Sequence, residues 1–501
     1  MKPFLNSQTN NKLEILSIIS TSGKTMTVNE IRKITGFSSQ NIRKLFLEMK
    51  DEGIFTYDPN SVINISWDDK AIKSISIQNL SIDHLATKYL HDSVLYQMIY
   101  SIFINGNINR AQFCSENFIS QPTFSRNRMA LKKILKDMRL DLNNKNEIIG
   151  EELRIRTFFF YFFSNGSAKW MFDTYILSET DQFFSKKKCS TWKSNSILWK
   201  KKITLLLYIS RIRTSQSKNI NFNISLSELP TLPNYDLLHF CSKYLSKYLN
   251  TSSLNIDQET IFIIFMLIKE FLWFDSDFIT QLSLTTQKNT SVKILTTIFT
   301  KNIENLNGVL KNELLSMYLY FFHYNMKFGF IDSRHFLYYY NPANFFYKDN
   351  SEKRLYSQIQ LLYSQLKEDE YYSNFLVKYN IPCDIFTEFI YLMVYNIKSL
   401  SPSINPYTVS LYVQNKKSSV ENILKFKLKT LYQKNIKFVP DLTMESPDFI
   451  ITDEPIFDKN SLDLSHSRII YVTSFSDKSD LDNLYSAVGD KILDIFYNRS
   501  I

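Results

Sequence analysis

Glycine and proline are scarce, with 9 and 12 among 501 residues. Hairpin turns and phosphate-cradling loops draw on glycine, so this composition predicts a mostly helical chain with short connections. None of the glycines falls in the spacing of a dinucleotide fingerprint or a P-loop, which argues against the usual nucleotide chemistry. Cysteine is scarcer still. Cys114, Cys189, Cys241 and Cys383 are scattered with no CxxC pair, a usage that fits a reduced, cytoplasmic protein better than a disulfide-stapled one. His84, His91, His239, His323, His335 and His466 show no metal-ligand spacing, and no GxSxG elbow or marked carboxylate pair occurs. The sequence thus makes no case for an enzyme, a metal or a cofactor. The opening MKPFLNSQTNNK lacks an apolar signal core, and the run IFIIFMLI at 261–268 is too short to span a bilayer, so no membrane partner is expected.

Apolar residues make up 44% of the chain and aromatic ones 15%, enough for sizeable cores. A chain this long outgrows one ordinary core, so several domains are expected. The net charge of +10 permits an anionic partner without identifying one.

One stretch gives that charge a geometry. FISQPTFSRNRMALKKILK, residues 118–136, places Phe124, Leu131, Ile134, Leu135 and, just beyond it, Met138 on one helical face. Ser120 can cap its N-terminus, and Pro122 in the first turn forfeits no hydrogen bond. The opposite face carries Ser125, Arg126, Met129 and Lys133. A solvated basic face on a structural helix is the plainer account. A repeat favours the other. Residues 11–53 read as three helices, with Gly36 permitting the sharp turn before the third. That third helix sets Ile42, Leu45, Phe46 and Met49 against Gln40, Arg43 and Lys44. Sliding by 82 residues aligns Ser38 with Ser120, Ile42 with Phe124, Lys44 with Arg126 and Met49 with Leu131. IFTYDPNSVINIS, around Asp58-Pro59-Asn60, reads as a wing after the first module. LDLNNKNEIIGEELRIR, residues 140–156, reads as a second, with Gly150 at its tip or exit.

Two tandem winged helix-turn-helix modules are therefore expected, over 1–66 and 67–158, the second including a connecting helix. In the major groove the N-terminal part of such a helix meets base edges while flanking cations neutralise phosphates. Gln121, Thr123, Ser125 and Arg126 are the candidates for base reading, and Lys132, Lys133 and Lys136 for phosphates. Gln40, Arg43 and Lys44 are their counterparts in the first module.

From about residue 157 the chain becomes aromatic and helical, and reads as two copies of one bundle, 159–285 and 286–400. KKKCSTWKSNSILWKKK at 186–202 could grip nucleic acid, but reads better as a helix connection with Trp192 and Trp199 packed inward. SPSINPY at 401–407 reads as a linker. Beyond it YTVSLYVQ, IKFVPDL, DFIITDE and RIIYVTSF alternate with two helical runs, predicting a small parallel α/β domain over 401–501. The fold class expected is mainly α and multidomain.

This order of modules resembles the Mga/AtxA family of Gram-positive virulence and global transcription regulators, most closely over IQNLSIDHLATKYLHDSVLYQMI, the second helix-turn-helix and IIGEELRIRTFFFYFF (78–163). The resemblance implies PRD-like helical bundles, similar to phosphotransferase-system regulation domains, and a IIB-like C-terminal domain serving self-association. It implies a cytoplasmic activator that binds promoter DNA as a homodimer or larger oligomer. Histidines expected in the bundles are replaced: Trp199 and lysines precede ITLLLYISRIR, and only His323 lies in a plausible regulatory helix. A structural histidine is the plainer reading of His323; a phosphoacceptor, making phosphotransferase-system proteins partners, is the other. The IIB-like first strand ends in VQNKKSS without the family's cysteine, which disfavours a phosphocarrier enzyme. The winged helices disfavour an RNA antiterminator.

Overall fold

Small polar residues start each of the first seven helices. Asn6, Thr27, Ser38, Ser81, Ser93, Asn109 and Ser120 accept first-turn backbone N–H groups of α1 (Ser7–Ser22), α2 (Val28–Thr35), α3 (Ser39–Asp51), α4 (Ile82–His91), α5 (Val94–Asn105), α6 (Arg110–Glu116) and α7 (Gln121–Asp137). The structure, a computed structural model, describes residues 2–56, 61–68, 71–78, 80–166, 178, 197–220, 242–247, 253–269, 350–379, 381–384, 386–387, 390–391, 408–442, 445–454, 467–472 and 478–499. Among these the chain is mostly helical with small sheets.

The first three helices join an antiparallel sheet of β1 (Met26–Thr27), β2 (Val62–Asp68) and β3 (Ala71–Gln78) in the order β1-β3-β2. Ile42, Leu45, Phe46 and Met49 of α3 are buried, as are Leu13 and Leu16 of α1 and Ile75 and Ile77 of β3. The hairpin differs from the wing expected around Asp58-Pro59-Asn60. Ile54–Thr56 is a short 3-10 helix, and the strands meet between Asp68 and Ala71. The sheet also runs on to Gln78, beyond residue 66. Alternation of inward isoleucines, extending from Ile63 and Ile65 to Ile75 and Ile77, decides the pairing more strongly than a turn dipeptide does.

A second helical set, α5, α6 and α7, ends in a hairpin of β4 (Asp141–Leu142) and β5 (Ile148–Ile149). Gly150 follows at φ 151°, where a Cβ would stand 2.7 Å from Leu140 Cδ2, so it marks the exit of the hairpin. Helix α8 (Glu152–Gly166) begins at once, earlier than residue 157. Its run FFFYFF is buried throughout. Phe159 and Phe163 each lie 5.0 Å from Phe103 of α5, and Phe162 lies 5.1 Å from Phe4. Such ring pairs contribute roughly 0.5–1.5 kcal/mol each beyond area burial.

Helices α9 (Ile197–Ser215), α10 (Ser253–Lys269), α11 (Asn350–Glu368) and α12 (Glu370–Tyr379) follow. Most of the two expected bundles, with Cys189, Trp192 and His323, lies outside the described residues. In the C-terminal part a parallel sheet of β6 (Val409–Gln414), β7 (Ile436–Phe438), β8 (Phe449–Thr452) and β9 (Arg468–Tyr471) has the order β7-β6-β8-β9. Helices α13 (Ser418–Tyr432) and α14 (Lys478–Arg499) accompany it. Leu411, Val413, Ile451 and Ile470 join Ile423, Leu424, Leu484 and Val488 in the main core, while Tyr412, Ile450, Ile469 and Tyr471 form a second cluster with Leu442. No helix among the described residues is long and apolar enough to cross a membrane.

Candidate nucleic-acid interface

Helix α7 has two unlike sides. Phe124, Leu131, Ile134 and Leu135 are buried, with Phe124 edge-on to Phe113 of α6 at 5.7 Å. Arg126, Met129, Ala130 and Lys133 are exposed on the other side. Burial of the apolar side fixes the rotation of the helix, and so aims Arg126 and Lys133 at solvent.

The N-terminal turn is held by hydrogen bonds. Ser120 Oγ accepts from the Thr123 N–H at 3.3 Å and lies 2.9 Å from Thr123 Oγ1. Arg126 donates through Nη2 to Thr123 Oγ1 at 3.4 Å. Across the turn, Arg110 donates to the Gln121 carbonyl at 3.3 Å and to Ser125 Oγ at 3.1 Å, with its guanidinium carbon 5.9 Å from the Phe124 ring centre. Gln121, Thr123, Ser125 and Arg126 are thus brought to one end of one helix, Gln121 and Arg126 exposed and the other two half-buried.

The three lysines differ. Lys133 and Lys136 are exposed, whereas Lys132 is half-buried and pairs with Asp141 of β4 at 3.4 Å. The Leu142 N–H bonding to Asp141 holds that carboxyl below its usual range, and the Lys132 and Lys136 charges reinforce the shift. Lys132 therefore already ties the helix to the hairpin.

Arg128, absent from the expected set, has the same effect more strongly. It donates through Nε to Asn146 Oδ1 at 2.7 Å and through Nη2 to the Asn143 carbonyl at 2.9 Å. The Asn143 side chain accepts from the N–H groups of Lys145 and Glu147, and Asn146, at φ 57°, donates to the Ile108 carbonyl. The hairpin loop is thereby fixed against α7 with Lys145 exposed at its tip. Only the asparagines of NNKN hinted at such a loop.

In the first module Gln40, Arg43 and Lys44 are all exposed on α3. Lys44 lies 3.9 Å from Glu48, which also pairs with Lys12 at 3.0 Å. Ser38 caps α3 as Ser120 caps α7.

The helix-and-hairpin unit of α7 is joined to the middle of the chain. Lys218, just beyond α9, pairs with Glu147 of the hairpin and holds its carboxyl below the usual range. Gln216 donates to the Phe103 and Ile104 carbonyls at 2.8 and 3.1 Å. Beneath lies a buried charge network. Arg156 of α8 bonds Glu152, Glu259 of α10, Ser210 Oγ and the Lys218 carbonyl, and Arg213 of α9 bonds both oxygens of Glu152. Two guanidiniums and two carboxylates balance, as buried charges require.

A family model for the Mga helix-turn-helix domain matches residues 78–163, from the end of β3 to the aromatic run of α8. No curated protein sequence matches the chain.

Proposed function

From a chain that carries a Mga helix-turn-helix domain, we infer a DNA-binding transcription regulator that seats α7 in the major groove of a duplex. One observation supports this most: α7 buries Phe124, Leu131, Ile134 and Leu135 while exposing Arg126 and Lys133. Gln121, Thr123, Ser125 and Arg126 meet base edges, and Lys133 and Lys136 neutralise phosphates. Lys132 acts chiefly through Asp141, by holding the hairpin. In the first module Gln40, Arg43 and Lys44 of α3 take the same part. Residues 1–158 carry 21 basic and 16 acidic residues, a modest excess, so DNA deformability contributes to selectivity beside base contacts. Purified full-length protein should retard a duplex fragment in a gel at low salt, and less so as salt rises. Absence of any retardation at low salt contradicts the reading.

The proposal extends to a cytoplasmic activator working as a dimer or larger oligomer through its C-terminal part. Tandem modules joined in an oligomer raise effective concentration on DNA, so weak footprints combine into one tight complex. Contacts from Lys218 to the hairpin and from Glu259 of α10 to α8 support a middle region that couples a signal to promoter occupancy. If phosphotransferase-system proteins deliver that signal through His323, His323→Ala and His323→Asp should move promoter activity in opposite directions; wild-type behaviour in both removes that route.

A further inference from the structure

Phe118 stands in the turn between α6 and α7, 96% exposed and with its backbone at φ 53°. A lone exposed ring is ordinary on a protein surface. A bulky residue held in the left-handed region is not, because its Cβ crowds the backbone there and glycine has no such atom. The turn requires that conformation. It closes α6 through the Ile119 N–H donating to the Cys114 carbonyl at 3.0 Å, which only a left-handed residue at 118 allows.

The first module shows what the fold alone needs. The slide of 82 residues that pairs Ser38 with Ser120 also sets Gly36 against Phe118. Gly36 takes φ 72° in the corresponding turn, and a Cβ built on it meets nothing within 4 Å. No packing in that turn asks for a side chain. Phe118 therefore combines backbone strain with an exposed apolar ring, and contributes nothing visible to the core.

Position says what covers it. The ring lies two residues before the cap of α7, at the end where Gln121 and Arg126 are exposed and where Arg110 braces Ser125. We propose that Phe118 is an apolar DNA contact, laying its ring against a deoxyribose or a thymine methyl beside the N-terminus of α7. This rests on the DNA-binding reading and deepens it. The contact is uncharged, so its contribution is independent of counterion release.

The test uses the full-length protein, F118G and F118L, with a labelled duplex selected by the wild type from a random pool. Dissociation constants are measured at several salt concentrations beside thermal unfolding and light-scattering mass. F118G should bind roughly five- to tenfold more weakly, with an unchanged salt slope and an unchanged or raised unfolding temperature. F118L should fall between. Wild-type affinity in F118G overturns the proposal, and so does an affinity loss that tracks a lowered unfolding temperature, which marks a structural residue. Unchanged DNA affinity with altered mass also overturns it, by assigning the ring to a second copy. If the wild type selects no duplex, the DNA-binding reading itself has failed.

Discussion

At the scale of single residues, His84 shows how burial sets a charge. It is buried on α4, and desolvation, reinforced by the Lys416 and Lys88 charges, lowers its pKa from 6.5 to about 4. Lys416 comes from the loop between β6 and α13; burial opposes its ammonium, but Asp83, Asp453 and Glu454 hold the charge in place. Burial raises the Asp453 carboxyl to about 7 despite Lys416. The two shifts have opposite signs. Folding keeps His84 neutral, so its contribution is fully present above pH 6.5 and is lost as pH falls towards 4. Asp453 takes up a proton on folding, so its contribution declines as pH rises from 3.8 to about 7. In the wild type they therefore act against each other. The difference in unfolding temperature between His84→Gln and wild type should therefore become more positive from pH 7 to pH 5. A difference independent of pH would contradict this assignment.

At the scale of elements, the hairpin and α7 form one unit through Arg128. Replacing Arg128 by Ala leaves the Asn146 amide oxygen without its 2.7 Å donor and unclamps residues 143–147. The expected loss is about 1–3 kcal/mol of stability, read by thermal unfolding, with faster amide exchange in the hairpin than elsewhere. Equal exchange throughout would contradict the clamp. The buried network makes a stronger case. Glu259→Ala leaves Arg156 underpaired where it is fully buried, a change that costs about 3–5 kcal/mol. Chemical denaturation should show that loss, and a wild-type midpoint would count against it.

These elements also show what could be read in advance. The faces of α3 and α7 were legible because 3.6-residue periodicity and a serine cap are local signals, and Ser38, Ile42, Ser120 and Phe124 carry them. The clamp was not. Arg128 is one more arginine on a basic helix until the hairpin folds back on it. Arg156 and Glu259 are 103 residues apart, and nothing local pairs them. Asp58-Pro59-Asn60 has the look of a turn and lies outside the described residues, whereas the register of the first hairpin is set by isoleucines further on. Phe118 opens the same stretch as α7, but only its backbone angle separates it from an ordinary apolar residue.

At the scale of the whole molecule, the C-terminal part docks on the middle and N-terminal parts. Lys202 of α9 bonds the Lys416 carbonyl, and Ser479 of α14 donates to the Ser20 carbonyl at 3.4 Å. A deletion of 405–501 thus removes the partner of Asp83 on α4 as well as the proposed oligomer contact. Light scattering should report fewer protomers per assembly, with helical content retained over the remaining chain. An unchanged number of protomers would place self-association elsewhere.

The central claim is that α7 turns Arg126 and Lys133 towards a duplex. It is tested most directly by measuring duplex affinity against salt for the full-length wild type and the Arg126→Ala/Lys133→Ala variant. The account predicts at least a roughly tenfold loss in the variant and a log–log salt slope shallower by about one for each phosphate contact removed, with the unfolding temperature unchanged. Equal affinity and equal slope in the two proteins would show that the cationic side of α7 faces something other than DNA.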